Sequence, residues 1–323
     1  MKEKQVVRLN WTLCVCIIVY IALHFAYSFA SAIFNWPELD IIPVLIVSQL
    51  MVWGSFLVAT LICRPKIFDA ELFKVKTSPG KFIANTILTV FFFVCVMPTC
   101  WTMNLITQLF AKNYVNDTTA DLTSMELWVQ LLAIAVMPAV SEELICRGAA
   151  MGGLRRYNPL KAAIITGLFF GTLHLNINQF SYTVVLGIFI AVLNECTGYI
   201  YSSMLVHFLM NSLSVVLVHF LTKMTGQGIF NNLIAEVSTQ AATENESLSK
   251  GSMVLAIMIM GVIAVIGATI AILILYLIAY INHGEKPFKK VFYKTETKMF
   301  TGGFYAMLIV GFAYMIIFEF ILV

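Results

Sequence analysis

Apolar runs of about bilayer-crossing length recur along the whole chain, and they limit its fold more than any other feature. Nine lie near residues 10–34, 41–63, 82–110, 126–153, 159–177, 180–197, 199–223, 252–282 and 302–323. A helix rises about 1.5 Å per residue, so some 20 apolar residues cross about 30 Å of hydrocarbon. Within that slab only helices and closed barrels satisfy their own backbone. The alternating ten-residue segments of a barrel do not occur, so the expected fold is all-α. It is a polytopic membrane protein of about eight to nine transmembrane helices around a buried polar site, a single integral domain over residues 1–323. The fifth and sixth runs are short for a full crossing. Composition agrees: 60% of residues are hydrophobic, 11% are charged, and mean hydropathy is +0.89. These values exclude a soluble enzyme, a disordered tail and a nucleic-acid-binding module. Membrane lipid is therefore an expected partner and nucleic acid is not.

Charge sets the expected orientation. With the N-terminus in the cytoplasm, the outer side receives only Lys112, Lys223 and Lys250, and the other seventeen Lys and Arg face inward. This is the positive-inside pattern, and with nine spans it places the C-terminus, Val323, outside. Residues 64–81 then form an inner loop and residues 225–251 an outer one, each read as loop or short surface helix. Asn116-Asp-Thr and Asn245-Glu-Ser on the outer side read as glycosylation sequons of little specificity. Ala30-Ser31-Ala32 resembles a signal-peptide cleavage site, but the apolar run before it is too long for one. The seven cysteines lie in or at the end of apolar runs without metal-ligand spacing, so they read as small buried hydrophobes. Pro43, Pro98 and Pro138 fall inside spans, where a neighbour has to satisfy the carbonyl each one frees.

Ionisable groups inside spans are costly and mark function by default. Glu142, Glu143 and Arg147 occupy the fourth run, His174 the fifth, Glu195 the sixth, and His207 and Asn211 the seventh. His24, His219 and Glu319 are isolated and read as packing or interfacial residues. Glu142 lies 16 residues before Asn158 and His174 lies 16 after it. If both arms of that hairpin are helical, each group sits about 24 Å from the turn, at one depth. Gly167 and Gly171 have the spacing that lets a neighbouring backbone approach beside His174. Glu143 and Arg147, at i and i+4, form the expected internal ion pair. Glu142, rotated about 100° from Glu143, is then free to face a cavity. His207 and Asn211 also share a face, but His207 lies only about 12 Å into its span. Equal depth therefore requires a recessed connection before it or a shifted boundary.

A carboxylate and an imidazole at one depth can activate water, and a His/Asn pair can donate to a developing oxyanion. These are the parts of a metal-free peptide-hydrolysis site. A zinc site on Glu142, His174 and His207 is the second possibility, although HExxH spacing is absent. Proton or ion transport is the third, without the repeated halves common in carriers. No serine or cysteine nucleophile is convincingly placed: Ser141 has no nucleophile elbow and Cys146 has no evident base.

The sequence Glu142-Glu143-Leu-Ile-Cys-Arg147, then Phe170-Gly-Thr-Leu-His174, then His207-Phe-Leu-Met-Asn211 reads EExxxR, FxxxH, HxxxN. In order and separation it resembles the CPBP family, the CAAX-processing and bacteriocin-processing intramembrane proteases, also called the Abi family. The likeness spans about residues 138–215, the motif-bearing core. It implies a glutamate-type endopeptidase that needs no metal or other cofactor. Glu142 and His174 would activate water, His207 and Asn211 would stabilise the oxyanion, and Glu143, Arg147 and Phe170 would hold the site in shape. Cys146 departs from the aromatic residue often found before the family's arginine. The implied substrate is a peptide or lipidated protein, a prenylated CaaX chain or a leader peptide. Some members of the family are linked to immunity or scaffolding, which keeps a non-enzymatic role open.

Overall fold

A computed structural model describes residues 2–34, 41–67, 69–111, 125–225, 246–293 and 296–319. Among them the chain is mainly helical, without strands. The helices are α1 (Lys2–Phe34), α2 (Ile41–Cys63), α3 (Pro79–Gln108), α4 (Leu127–Leu154), α5 (Pro159–Leu173), α6 (Ile177–Thr197), α7 (Tyr201–Thr225), α8 (Glu246–His283), the short α9 (Pro287–Val291) and α10 (Gly302–Ile317). A 3-10 turn, Ala70–Phe73, lies in the connection between α2 and α3. Seven helices are long and apolar enough to cross a membrane, while α5 and α10 are shorter apolar helices. The protein is an all-α polytopic membrane protein, and its nine apolar runs each correspond to one helix.

The boundaries depart from expectation where capping residues decide them. The fifth run stops at Leu173, four residues early, because His174 closes the helix and Leu175 takes a left-handed φ of 49°. The sixth starts at Ile177, three residues early, because the Asn176 side chain accepts from the backbone N–H of Asn178 and Gln179. It is therefore a full-length span and not a short one. Within the stretch 225–251, helix α8 begins at Glu246; residues 226–245 lie outside the described part. Asn116, Asn245, Lys112 and Val323 also lie outside it.

Two apolar clusters make the core. One joins α1, α2, α4, α5 and α10 through residues such as Leu13, Ile17, Phe56, Ile145, Phe169 and Met307. The other joins α3, α6, α7 and α8 through Phe92, Val96, Leu193, Val206 and Leu275. Val192 on α6 packs against both. The outer faces expose large apolar side chains, among them Leu61, Phe91, Val265 and Leu273, as a lipid-facing surface requires. Five of the seven cysteines are buried and all are free thiols.

The α5–α6 contact sets the position of the site. A side chain on Gly167 would meet the Ile188 backbone nitrogen at 2.9 Å, and one on Gly171 would run into Val184 and the Phe180 carbonyl. The small-residue face thus brings the α6 backbone against α5, as the spacing indicated. The α6–α7 connection, Gly198–Ile200, is recessed. Ile200 reaches Gly148, about two turns before the α4–α5 turn, and its N–H donates to the Leu72 carbonyl at 2.9 Å. The 3-10 turn Ala70–Phe73 thereby covers the connection, and His207 is brought level with Glu143.

Candidate active site

Helix α4 supplies both acids and is irregular on either side of them. It widens into π turns at Leu131–Val136 and Leu144–Met151, with the α-helical stretch Met137–Glu143 between. Single π turns of this kind concentrate at functional sites. Pro138 has no N–H to offer the Ile134 carbonyl, and Asn211 on α7 supplies the donor through Nδ2 at 3.0 Å. One of the two Asn211 N–H groups is thus committed to α4 and the other remains available.

The expected ion pair is present and sealed. Arg147 Nη1 donates to Glu143 Oε1 at 2.7 Å, and both side chains are 0% exposed. Arg147 Nη2 also donates to the Gly187 carbonyl at 2.9 Å, and the guanidinium lies 4.7 Å from the Phe170 ring centre. Gly187 leaves room for this, since an added Cβ would stand 3.1 Å from Arg147 Nη2, Gly167 Cα and Phe170 Cδ1.

Phe170 is the hub of the site. His174 meets it edge-on at 5.0 Å between ring centres and His207 meets it edge-on at 5.4 Å. His174 Nδ1 lies 2.9 Å from the Phe170 carbonyl, one of the carbonyls left unpaired at the C-terminus of α5. A carbonyl only accepts, so Nδ1 carries the proton and Nε2 faces outward. His207 Nδ1 lies 3.1 Å from Glu143 Oε1 and therefore also donates. That turns His207 Nε2 toward Glu142, whose Oε2 is 4.0 Å away. Unlike Glu143, Glu142 is only partly covered, with 15% of its side chain exposed. His174 is within electrostatic range of Glu142, His207 and Arg147. His174 and His207 thus both contact Phe170, and Glu142 lies beside His207 and the Glu143–Arg147 pair, whereas Asn211, one turn after His207, is engaged with the Ile134 carbonyl.

Sequence reasoning missed Gln49. It lies on α2, and its Nε2 donates to Glu142 Oε1 at 2.9 Å, while its Oε1 accepts from the Ser141 hydroxyl. A polar residue inside an apolar run was the available signal. Glu195, assigned to the buried group from sequence, lies apart from it. It pairs with Arg155 through Oε1 at 2.6 Å and Oε2 at 2.9 Å, at the end of the helices, where Arg155 also reaches Asp69 at 3.2 Å. Glu195 therefore belongs to a latch at the helix ends. His219 is likewise separate, with Nδ1 3.1 Å from Gln130 Nε2. Among the described residues, no three His, Cys, Asp or Glu side chains are gathered to hold a metal ion.

Residues 124–213 match the family model described as type II CAAX prenyl endopeptidase Rce1-like. No curated protein and no solved structure matches the chain. The matched segment runs from just before α4 through Asn211 and so contains all three motifs. Over this segment, somewhat under a third of the chain, the protein is similar to the CPBP/CAAX protease family.

Proposed function

We propose that the protein is a membrane-embedded endopeptidase that hydrolyses a peptide bond of a membrane-associated substrate, a prenylated CaaX chain or a leader peptide. The observation that carries this reading is the unequal pair of acids. Glu143 is sealed and orients His207, and Glu142 is partly open with one oxygen facing the same imidazole. Glu142 takes a proton from water, assisted by the outward Nε2 of His174, and the hydroxide adds to the scissile carbonyl. Negative charge gathers on the carbonyl oxygen. His207 Nε2, when protonated, and the second Asn211 N–H donate to that oxygen. The tetrahedral intermediate collapses as the C–N bond breaks, and the Glu142 proton passes to the leaving amine. No metal enters this scheme. The lipid of a prenylated substrate stays in hydrocarbon while its peptide reaches the site.

Purified protein in detergent, given a panel of prenylated and leader peptides, tests the proposal. Cleavage is expected from the native sequence and is expected to vanish in Glu142→Ala and His174→Ala. Cleavage that persists in both variants refutes the assigned chemistry. Activity abolished by a chelator and restored by zinc selects the zinc-dependent alternative. For orientation, the proposal places the N-terminus in the cytoplasm and the C-terminus outside, and accessibility labelling of a cysteine added at either end tests this.

One observation favours a second reading, a membrane scaffold or immunity protein. Each candidate side chain already has a partner: Asn211 on Ile134, His174 on Phe170, and Glu142 on Gln49. A purely architectural role predicts that Glu142→Gln leaves the cellular phenotype intact. Loss of phenotype at normal protein level removes this reading.

A further inference from the structure

We propose that Gln49, on a helix outside the family-matched segment, is a positioning residue that fixes which oxygen of Glu142 takes the proton from water. The inference rests on the endopeptidase reading above and adds a residue to it. Four of the helices carry the motif residues or the backbone around them, whereas α2 reaches the site through Gln49.

The hydrogen bonds have one self-consistent direction. An ionised Glu142 is acceptor-only, so the Gln49 group facing it at 2.9 Å is the NH2 end of the amide. The amide oxygen then faces Ser141, whose hydroxyl has to donate. Ser141 thus sets the amide, and the amide holds Glu142 Oε1. Only Oε2 is left to face His207 Nε2 at 4.0 Å. Ser141 and Glu142 are consecutive on α4, so Gln49 spans two adjacent side chains of one helix with its two ends. A hydrogen bond to a charged acceptor is among the stronger ones, and it restrains the side chain that has to meet the water.

A packing role for Gln49 in the α2–α4 contact would give a different experimental pattern. The test uses purified full-length protein in detergent and a fluorogenic farnesylated CaaX peptide, with kcat and KM measured separately. Gln49→Met keeps length and loses both hydrogen bonds. It is expected to lower kcat about tenfold with KM within about twofold, since the lost bond acts on the base and not on substrate binding. Gln49→Glu puts an acceptor where the donor stood and is expected to lower kcat further. Ser141→Ala frees the amide to turn and is expected to lower kcat about threefold. Because Ser141 acts through Gln49, the double variant Ser141→Ala/Gln49→Met is expected to match Gln49→Met alone.

A wild-type kcat in Gln49→Met, a loss confined to KM, or single losses that multiply in the double variant would each overturn the proposal. If Gln49→Met does not fold, Ser141→Ala carries the same test, and a wild-type kcat there overturns it. Glu142→Ala is measured alongside. If Glu142→Ala still cleaves, the endopeptidase chemistry itself fails. If it is inactive while Gln49→Met is normal, only the clamp fails.

Discussion

Two arginines eight residues apart on one helical stretch tie α4 to α6, and they do so in different surroundings. Arg147 reaches the carbonyl of Gly187 and Arg155 reaches the carboxylate of Glu195, so each contact joins residues 40 apart in sequence. Arg147 is 0% exposed, and Arg155 sits at the helix ends with 21% of its side chain exposed. The rungs are similar in chemistry but not in consequence. At the helix-end rung solvent reaches Arg155 but hardly reaches Glu195, which is 4% exposed, so that pair is screened from one side only. In the sealed rung, removing one partner leaves a charge with no solvent, which is far more destabilising than the intact pair is stabilising. That asymmetry explains why Gly187, Phe170 and His207 are all built around Arg147 and Glu143.

The largest expected effect is at the sealed rung. Arg147→Ala leaves Glu143 buried without its cation and is expected to lose about 3–5 kcal/mol, enough to leave little folded protein after detergent extraction. Arg147→Lys recovers only part of it, because an ammonium cannot address Glu143 and Gly187 with one planar fork. Next is Asn211→Ala, which strands the Ile134 carbonyl and is expected to cost about 1–3 kcal/mol in thermal unfolding. Pro138→Ala restores an N–H opposite Ile134. The double variant is therefore expected to regain stability while cleavage stays lost, separating the two duties of Asn211. Gly187→Ala crowds Arg147 at 3.1 Å and is expected to cost about 1 kcal/mol or more through overpacking. At the helix-end rung Arg155→Ala is expected to cost less than Arg147→Ala, because solvent reaches the Arg155 side of that pair, although Glu195 itself is only 4% exposed. The loss in Arg155→Ala shrinks in 1 M salt, where the screening length falls to about 3 Å, whereas the loss in Arg147→Ala does not. Equal salt sensitivity at the two rungs would break the comparison.

Much of the site was legible because its parts are local. The Glu143–Arg147 pair follows from i, i+4 spacing within one helix. The close α5–α6 approach follows from Gly167 and Gly171 on one face. The positions of His174 and His207 beside the acids were legible through motif order. Glu195 was correctly read as a buried carboxylate in the sixth span, but its distance from the other acids was not legible, because such a residue looks the same in sequence whether it lies mid-helix or at the helix end. The end of α5 and the start of α6 were misjudged because His174 and Asn176 act there as caps, which apolar periodicity does not register.

Taken alone, the amino-acid order determined the number of apolar helices, the placement of the acids and histidines on them, and the pairings made within a single helix. A helix has a fixed rise and turn, so any relation within one is arithmetic. The tertiary structure alone decided that Gln49 clamps Glu142 from 93 residues away, that Asn211 answers the carbonyl freed by Pro138, and that a recessed turn under Leu72 brings His207 to Glu143. These relations depend on which faces of separate helices meet and at what height. Small residues and sealed charges set that packing, and spacing along the chain does not encode it.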